Sequence, residues 1–366
     1  IIITLVGLQA SSQVITVKQD GSGDFTIIKD GIDAATAGDT VLVYPGTYYE
    51  NLEIIGKNLV LGSLTLTTGD ETNISQTIID GSQLSCCLFI EDNEEKNIIS
   101  GFTIQHGRGY KFEPNDRHSY GGGLYIRESD IDIHHCVIKN NYAFGQGGAV
   151  FIFQSTVNFF GCTLSKNNAF YGEGGGIKSR ESNLFLSDVT IKRNYSSESG
   201  GGIAYVSTNI TWDTINPCSI YLNHGTRGTD ILKGGNCPPL HLVVDTFTVA
   251  DPDRYYIYSL TDYGYPINDV TYDINAWVVE RENQNLYVDP VIGSNENSGL
   301  TADQPLKNIY YAFLKIVPDS LEPKSIYLAD GVYSPASGEK FPMPLRHYVS
   351  LIGESRDSTI IDAQDT

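Results

Sequence analysis

Between Gly121 and Val206 the chain repeats one phrase four times. GGGLYI starts at Gly121, GGAVFI at Gly147, GGGIKS at Gly174 and GGGIAYV at Gly200, spaced 26, 27 and 26 residues apart. A second phrase keeps phase with it: CVIKNN from Cys136, CTLSKN from Cys162, VTIKRN from Val189 and, less closely, CSIYLN from Cys218. A self-similar period in the twenties marks a solenoid, in which each repeat buries its apolar face only against its neighbours. Leu184/Leu186, Val189/Ile191 and Ile131/Ile133 alternate with polar residues, which is strand spacing. Helical repeats run to about 33 residues or more, and the spaced leucine consensus of leucine-rich repeats is missing. The expected fold is therefore all-β, a right-handed parallel β-helix with equivalent residues stacked ~4.8 Å apart from coil to coil.

Stacking gives each repeated residue a place. Leu124, Val150, Ile177 and Ile203 are expected in one inward column, and Ile138, Leu164, Ile191 and Ile220 in another. The glycine runs suit corners where a positive φ or a close backbone excludes a side chain. Asn141, Asn167, Asn194 and Asn223 are expected to form a ladder at a bend, their amides bonding above and below. Metal or sugar binding by these residues is the alternative. Of six cysteines, Cys136, Cys162 and Cys218 share a repeat position and read as buried thiols acting as small hydrophobes. A bridge between adjacent coils is the alternative, and no histidine at matching spacing supports a metal. Asn73, Asn194 and Asn209 open formal glycosylation sequons.

These phrases resemble the repeats of chlamydial polymorphic outer-membrane proteins, which pair GGA[ILV] with F-x-x-N. GGAV at Gly147 and GGGI at Gly174 and Gly200 answer the first; Ile138-x-x-Asn141, Leu164-x-x-Asn167 and Ile191-x-x-Asn194 answer the second. The resemblance covers about a quarter of the chain and implies a surface-exposed β-helical passenger associated with adhesion.

A chain of 366 residues can hold two or three domains. Its formal charge of −20 argues against nucleic acid or anionic lipid as partner. It would also repel an acidic polysaccharide unless Ca²⁺ or a local basic patch intervened. The 23 tyrosines offer rings that can stack on sugars. Residues 1–13 (IIITLVGLQASSQ) read as the remnant of a signal peptide, a buried first strand being the alternative. No stretch is long and apolar enough to span a membrane as a helix. The expected location is secreted or at a bacterial cell surface.

The domain opening shows a short amphipathic helix within 26–35, placed to cap the first coil, then strands at 41–44 and 59–61. DGSGDFT from Asp20 and GTYYE from Gly46 resemble the opening of pectin methylesterase over roughly 70 residues. That family's catalytic residues sit on QAVAL-, QDTL-, DFIFG- and LGRPW-like motifs. None of the four occurs here, so no esterase residue is carried over.

The coil from Ile104 to Ile138 is longer than its successors, and the excess lies in 105–120, QHGRGYKFEPNDRHSY. Long loops on solenoids are where function tends to sit. In β-helical polysaccharide lyases a Lys or Arg takes the proton α to a uronate carboxylate while Ca²⁺ neutralises that group. Arg108, Lys111, Arg117 and His118 are the candidate catalytic residues on this reading, a solvated charged loop being the ordinary one.

The rhythm stops after Thr229. The expected organisation is a parallel β-helix over 14–237, a β-rich stretch over 238–284 read as a small antiparallel insert or a linking module, and the start of a second β-helix over 285–366. The last follows from repeated phrases: SIYLADGVYS answers VLVYPGTYYE, YVSLIGES answers NLVLGS, and TIIDAQ answers TIIDGS, after a second helix carrying Ile309, Phe313 and Ile316 or Val317 on one face. Its start resembles a module of large exported bacterial β-helix proteins. Within it Asp289, Asn295, Glu296 and Asn297 are oxygen donors able to hold Ca²⁺ or to form turns; no cofactor is required. The functional expectation is a non-catalytic exported scaffold for adhesion or for binding a polysaccharide or cell-surface glycan. A polysaccharide lyase or glycoside hydrolase acting near 105–120 is the alternative.

Overall fold

The computed structural model describes residues 12–261 and 269–364; all but the last two residues of the expected signal remnant lie outside them. The chain winds into a parallel β-solenoid of about 13 turns, right-handed as such crossovers are. Every named ladder is parallel, in a 14-stranded and a 9-stranded sheet plus three small ones among the described residues. Among the described residues four short α-helices interrupt it: α1 (Ile28–Ala34), α2 (Thr65–Thr68), α3 (Thr72–Gln76) and α4 (Ile309–Lys315).

One coil shows how alternation becomes a tube. Leu124–His134 bends once and supplies two faces, Val137–Lys139 supplies the third, and Tyr142–Ala143 adds a short rung before the next glycine corner. The first face stacks Leu124, Val150, Ile177, Ile203 and Ile231 in register. The third stacks Ile104, Ile138, Leu164, Ile191 and Ile220. Both expected columns are fully buried, each side chain contributing ~1.5–3 kcal/mol of apolar burial. Corners turn through left-handed residues at recurring positions: Glu128, Gln154, Glu181 and Ser207 between faces one and two, and Asn140, Lys166, Arg193 and Leu222 after face three. Only the corner before face one is reserved for glycine. A Cβ on Gly121 (φ +62°) would stand 2.1 Å from the Leu124 carbonyl oxygen.

Two hydrogen-bonded ladders close the corners. Asn141, Asn167 and Asn194 each donate Nδ2 to Oδ1 of the next asparagine at 2.9–3.1 Å, the last to Asn223. Their backbone N–H groups donate to the same oxygens. At the opposite corner Ser129, Ser155 and Ser182 each donate Oγ to the carbonyl two residues back. The Ser129 and Ser155 N–H groups donate to the next serine's Oγ. The cysteines are unpaired, and burial pushes the Cys136 thiol up to about 11 and the Cys218 thiol up to about 12. Asn194 is fully buried in its ladder and Asn73 is 8% exposed, so of the three sequons only Asn209 presents an exposed asparagine.

The 238–284 stretch corrects the sequence reading. Leu240–Phe247 pairs in parallel with Cys218–Tyr221, and Val270–Trp277 in parallel with Leu240–Phe247. Ile257–Ser259 extends the first face. The expected antiparallel insert is thus further coils of the same solenoid. The period was lost because these third-face strands lengthen to eight residues and Thr229-Asp230 replaces a Gly-Gly corner.

A second unit follows, with Leu286–Val288, Lys324–Leu328 and Val349–Gly353 in one sheet and Gly331–Tyr333 paired to Thr359–Ile361. Its helix α4 lies between two cores: Tyr310 and Leu314 belong to the first, and Ile309, Ala312 and Phe313 to the second.

Candidate functional site

The 105–120 segment leaves the coil as a hairpin-like excursion closed by reciprocal backbone bonds between Tyr110 and Tyr120, at 2.8 and 2.9 Å. Ser119 anchors it, donating Oγ to the Arg108 carbonyl and accepting the Phe144 N–H. Aromatic packing holds it down. Phe89, Tyr125 and Phe151 form an outward column on face one, and Tyr110, Phe112 and Tyr120 fold over it with ring centroids 4.3–5.8 Å apart. What reads as a charged loop is therefore a lid on an external apolar cluster, with its charges displaced to the rim.

Lys111, Arg117 and His118 are exposed there and form no ion pair among the described residues. Arg108 lays its guanidinium 5.6 Å from the centre of the Tyr142 ring. Among the described residues no side-chain hydrogen bond or ion pair joins the four candidates. Beside Arg108, Tyr142, Phe144, Phe170 and Tyr171 cluster across two consecutive coils, with centroids 4.5–6.5 Å apart and Tyr171 57% exposed.

Polar groups from adjacent coils meet at one place near the loop. Asp80 Oδ2 accepts from Gln105 Nε2 at 3.1 Å and lies 2.8 Å from His106 Nδ1, while its Oδ1 accepts the Ser82 N–H. Burial raises the Asp80 carboxyl, but the bonds from Ser82, Gln105 and His106 outweigh it and leave the group below its usual range. Sequence reasoning missed Asp80. Its TIID phrase recurs at Asp362, which makes the same turn with Gln364, so the repeat signals turn geometry.

The four candidate metal ligands are engaged in turns. Asp289 Oδ1 accepts the Val291 and Ile292 N–H groups. Asn295 bonds Asn308 through Nδ2 and takes the Lys307 N–H on Oδ1, and Asn297 donates to the Pro305 carbonyl. The Glu296 N–H donates to Ser294 Oγ. Among the described residues no three His, Cys, Asp or Glu side chains gather as a metal set. The asparagine ladder is likewise spent on itself, and it ends on a residue that sequence reasoning passed over. Asn223 donates both N–H and Nδ2 to Asp230 Oδ1, and burial pushes that fully buried carboxyl up to about 7 against these bonds.

Comparison with known proteins finds a family match, a curated relative and solved structures. Residues 291–360 match a family described as "Protein of unknown function (DUF1565)". An Arabidopsis thaliana protein described as "Probable pectinesterase/pectinesterase inhibitor 17" is 45% identical over 69 residues, 18% of this chain and 12% of that relative's length. Among solved structures, pectin methylesterase from Aspergillus niger is similar at 16% identity over 73% of this chain and 86% of that one, TM-score 0.38. A pectin methylesterase mutant in complex with a hexasaccharide is similar at 13% identity over 73% and 89%, TM-score 0.37.

The chain is a parallel β-helix.

Within that fold, the aromatic surface and the Asp80–His106 pair share one edge of the tube, joined by the 105–108 backbone. No helix among the described residues is long and apolar enough to cross a membrane.

Proposed function

We propose that the protein is an exported carbohydrate-contacting scaffold, and that its glycan surface is the corner formed by Tyr142, Phe144, Phe170, Tyr171 and Arg108. One observation carries the reading: partly exposed rings from consecutive coils pack at the same corner beside the exposed Tyr171, with a cation laid on one of them. Aromatic faces and a guanidinium suit hydroxyl-rich rings that carry few charges. The negative overall charge favours neutral glycans over acidic ones. The test is a glycan array probed with the wild type and with Tyr171→Ala. Binding lost in the variant, with unchanged circular dichroism, supports the surface; equal binding by both removes it.

A second reading, hydrolysis or lyase chemistry, is favoured by the Asp80–His106 pair, a carboxylate orienting an imidazole that is 43% exposed. Pectin, alginate and glycosaminoglycans, each with added Ca²⁺, test it by ultraviolet absorbance of unsaturated product and by reducing-sugar release. Product that disappears with His106→Ala would replace the scaffold reading, and silence in both assays would end the catalytic one.

A further inference from the structure

The two units differ over one patch of an equivalent face. Tyr48 and Tyr333 are buried twins: Tyr48 donates Oη to the Tyr44 and Val17 carbonyls at 2.9 and 3.4 Å, and Tyr333 to those of Ala329 and Val288 at 2.9 and 3.0 Å. This equivalence aligns the column Thr16, Leu42, Gly62 with the column Tyr287, Tyr327, Ile352. In the first unit the chain covers its own column. Residues 64–76 carry α2 and α3, and Leu66 sits so close over Gly62 that a Cβ there would meet Leu66 Cδ2 at 2.6 Å. In the second unit the connector shrinks to 354–358 and forms no helix. The column becomes one wall of an open cleft of about 360 Å³, shared with Asp289, Pro305 and Glu354. That volume falls within the range of small-ligand sites, ~300–1,000 Å³.

The lining selects a chemistry. The Tyr287 and Tyr327 rings stack with centroids 5.2 Å apart, and neither hydroxyl bonds to a described residue. Asp289 makes its turn through Oδ1 alone, leaving Oδ2 for a ligand. Glu354 accepts the Asp330 N–H on Oε2 at 3.2 Å and keeps Oε1 for another partner. Two phenols and two carboxylates around an apolar floor offer donors and acceptors to hydroxyl groups, and the carboxylates repel an anion. We propose that this cleft is a second saccharide site, which takes a neutral sugar residue and rejects uronates. It is separate from the 105–120 surface and rests on the carbohydrate reading only for its class of ligand.

Isothermal titration of the full chain with neutral trisaccharides of glucose, galactose and mannose, and with trigalacturonate, tests it. The expected result is saturable binding of at least one neutral trisaccharide and none of trigalacturonate. Tyr327→Ala, and Ala302→Trp placed on the exposed rim to fill the cleft, should each weaken that binding at least about tenfold. Circular dichroism and the melting temperature check that Ala302→Trp folds. Lys29→Ala, on the exposed face of α1 and outside both surfaces, should leave the isotherm unchanged. Neutral-sugar binding indifferent to both cleft variants, equal binding of trigalacturonate, or no binding of any neutral trisaccharide would overturn the proposal. Binding lost only in Tyr171→Ala would overturn it while keeping the first-unit reading; the reverse pattern would keep the cleft and remove the first-unit surface.

Discussion

Helices α1 and α4 are the same device used at two depths. Each has seven residues, follows the first strand of its unit, and has its first two N–H groups held by a distant glutamate. Glu50 accepts from Ile28 and Lys29 at 2.8 Å, and Glu339 accepts from Ile309 and Tyr310 at 2.7 and 3.1 Å. Helix α1, IKDGIDA, buries Ile28, Gly31 and Ile32 and turns Lys29, Asp30 and Asp33 to water. It caps an open tube end. Helix α4, IYYAFLK, buries six of its seven residues because it closes the first tube and opens the second at once. A short helix that is apolar on every side must be enclosed, and here the enclosure joins the units. Tyr310 donates to the Asn223 carbonyl at 2.7 Å, and Arg346 caps the C-terminal end of α4 through the Phe313 and Ile316 carbonyls while pairing with Asp253.

Breaking the junction should therefore cost far more than disturbing the cap. Arg346→Ala strips two helix carbonyls of a donor and leaves Asp253 paired with Arg281 alone, so a loss of ~3–5 kcal/mol is expected in urea unfolding. A loss below ~1 kcal/mol would show that the junction is peripheral. Next come the paired glutamates. Glu339→Ala leaves two buried N–H groups unsatisfied and should cost ~2–3 kcal/mol, whereas Glu50→Ala, where water can reach the helix end, should cost about 1 kcal/mol. Equal costs would mean that burial does not distinguish the two helices.

A pH titration sharpens the contrast further. Asp230 lies against the junction with its folded pKa raised from 3.8 to about 7 by burial. The folded state therefore binds the proton more tightly than the unfolded one. This contribution is complete below pH 3.8 and is lost as pH rises towards 7. Asp230→Asn should abolish that slope and stabilise the protein by about 1–2 kcal/mol at pH 8. An unchanged stability profile between pH 4 and 8 would show that Asp230 is not the group responsible. The smallest effect is expected at the exposed cap: Lys29→Ala removes only the solvent-facing pair with Asp33 and should leave the unfolding midpoint where it was.

Legibility in the sequence followed spacing. Leu124, Ile138 and Asn141 could be placed because their equivalents return every 26 to 29 residues with one chemistry. The serine ladder was equally legible, since Ser129, Ser155 and Ser182 keep that period, but their short polar side chains resembled ordinary turn residues. Asp230 was hidden because it occupies a glycine position of the repeat and ends the asparagine ladder from the side. Glu339 was hidden by length. It stands six residues after Tyr333, whereas Glu50 stands two after Tyr48, and the added turn Pro335–Ser337 takes up the difference. The Asp80–His106 pair joins residues one coil apart, and the TIID phrase that carries Asp80 marks only its turn.

The sequence by itself determined the coil, because alternation of period two inside a repeat of 26 or 27 residues leaves a β-solenoid as the way to bury every inward column. It also determined that the opening is used twice, through Tyr48 and Tyr333 and the helices between their strands. Only the tertiary structure decided which surfaces stay open: 105–120 became an aromatic lid, 64–76 covers a face that 354–358 leaves bare, and α4 serves two cores. Those outcomes depend on contacts such as Tyr310 to Asn223 and Arg346 to Asp253, which lie 87 and 93 residues apart along the chain. A local pattern says which side of a strand is apolar. It does not say which distant segment arrives to cover the other side.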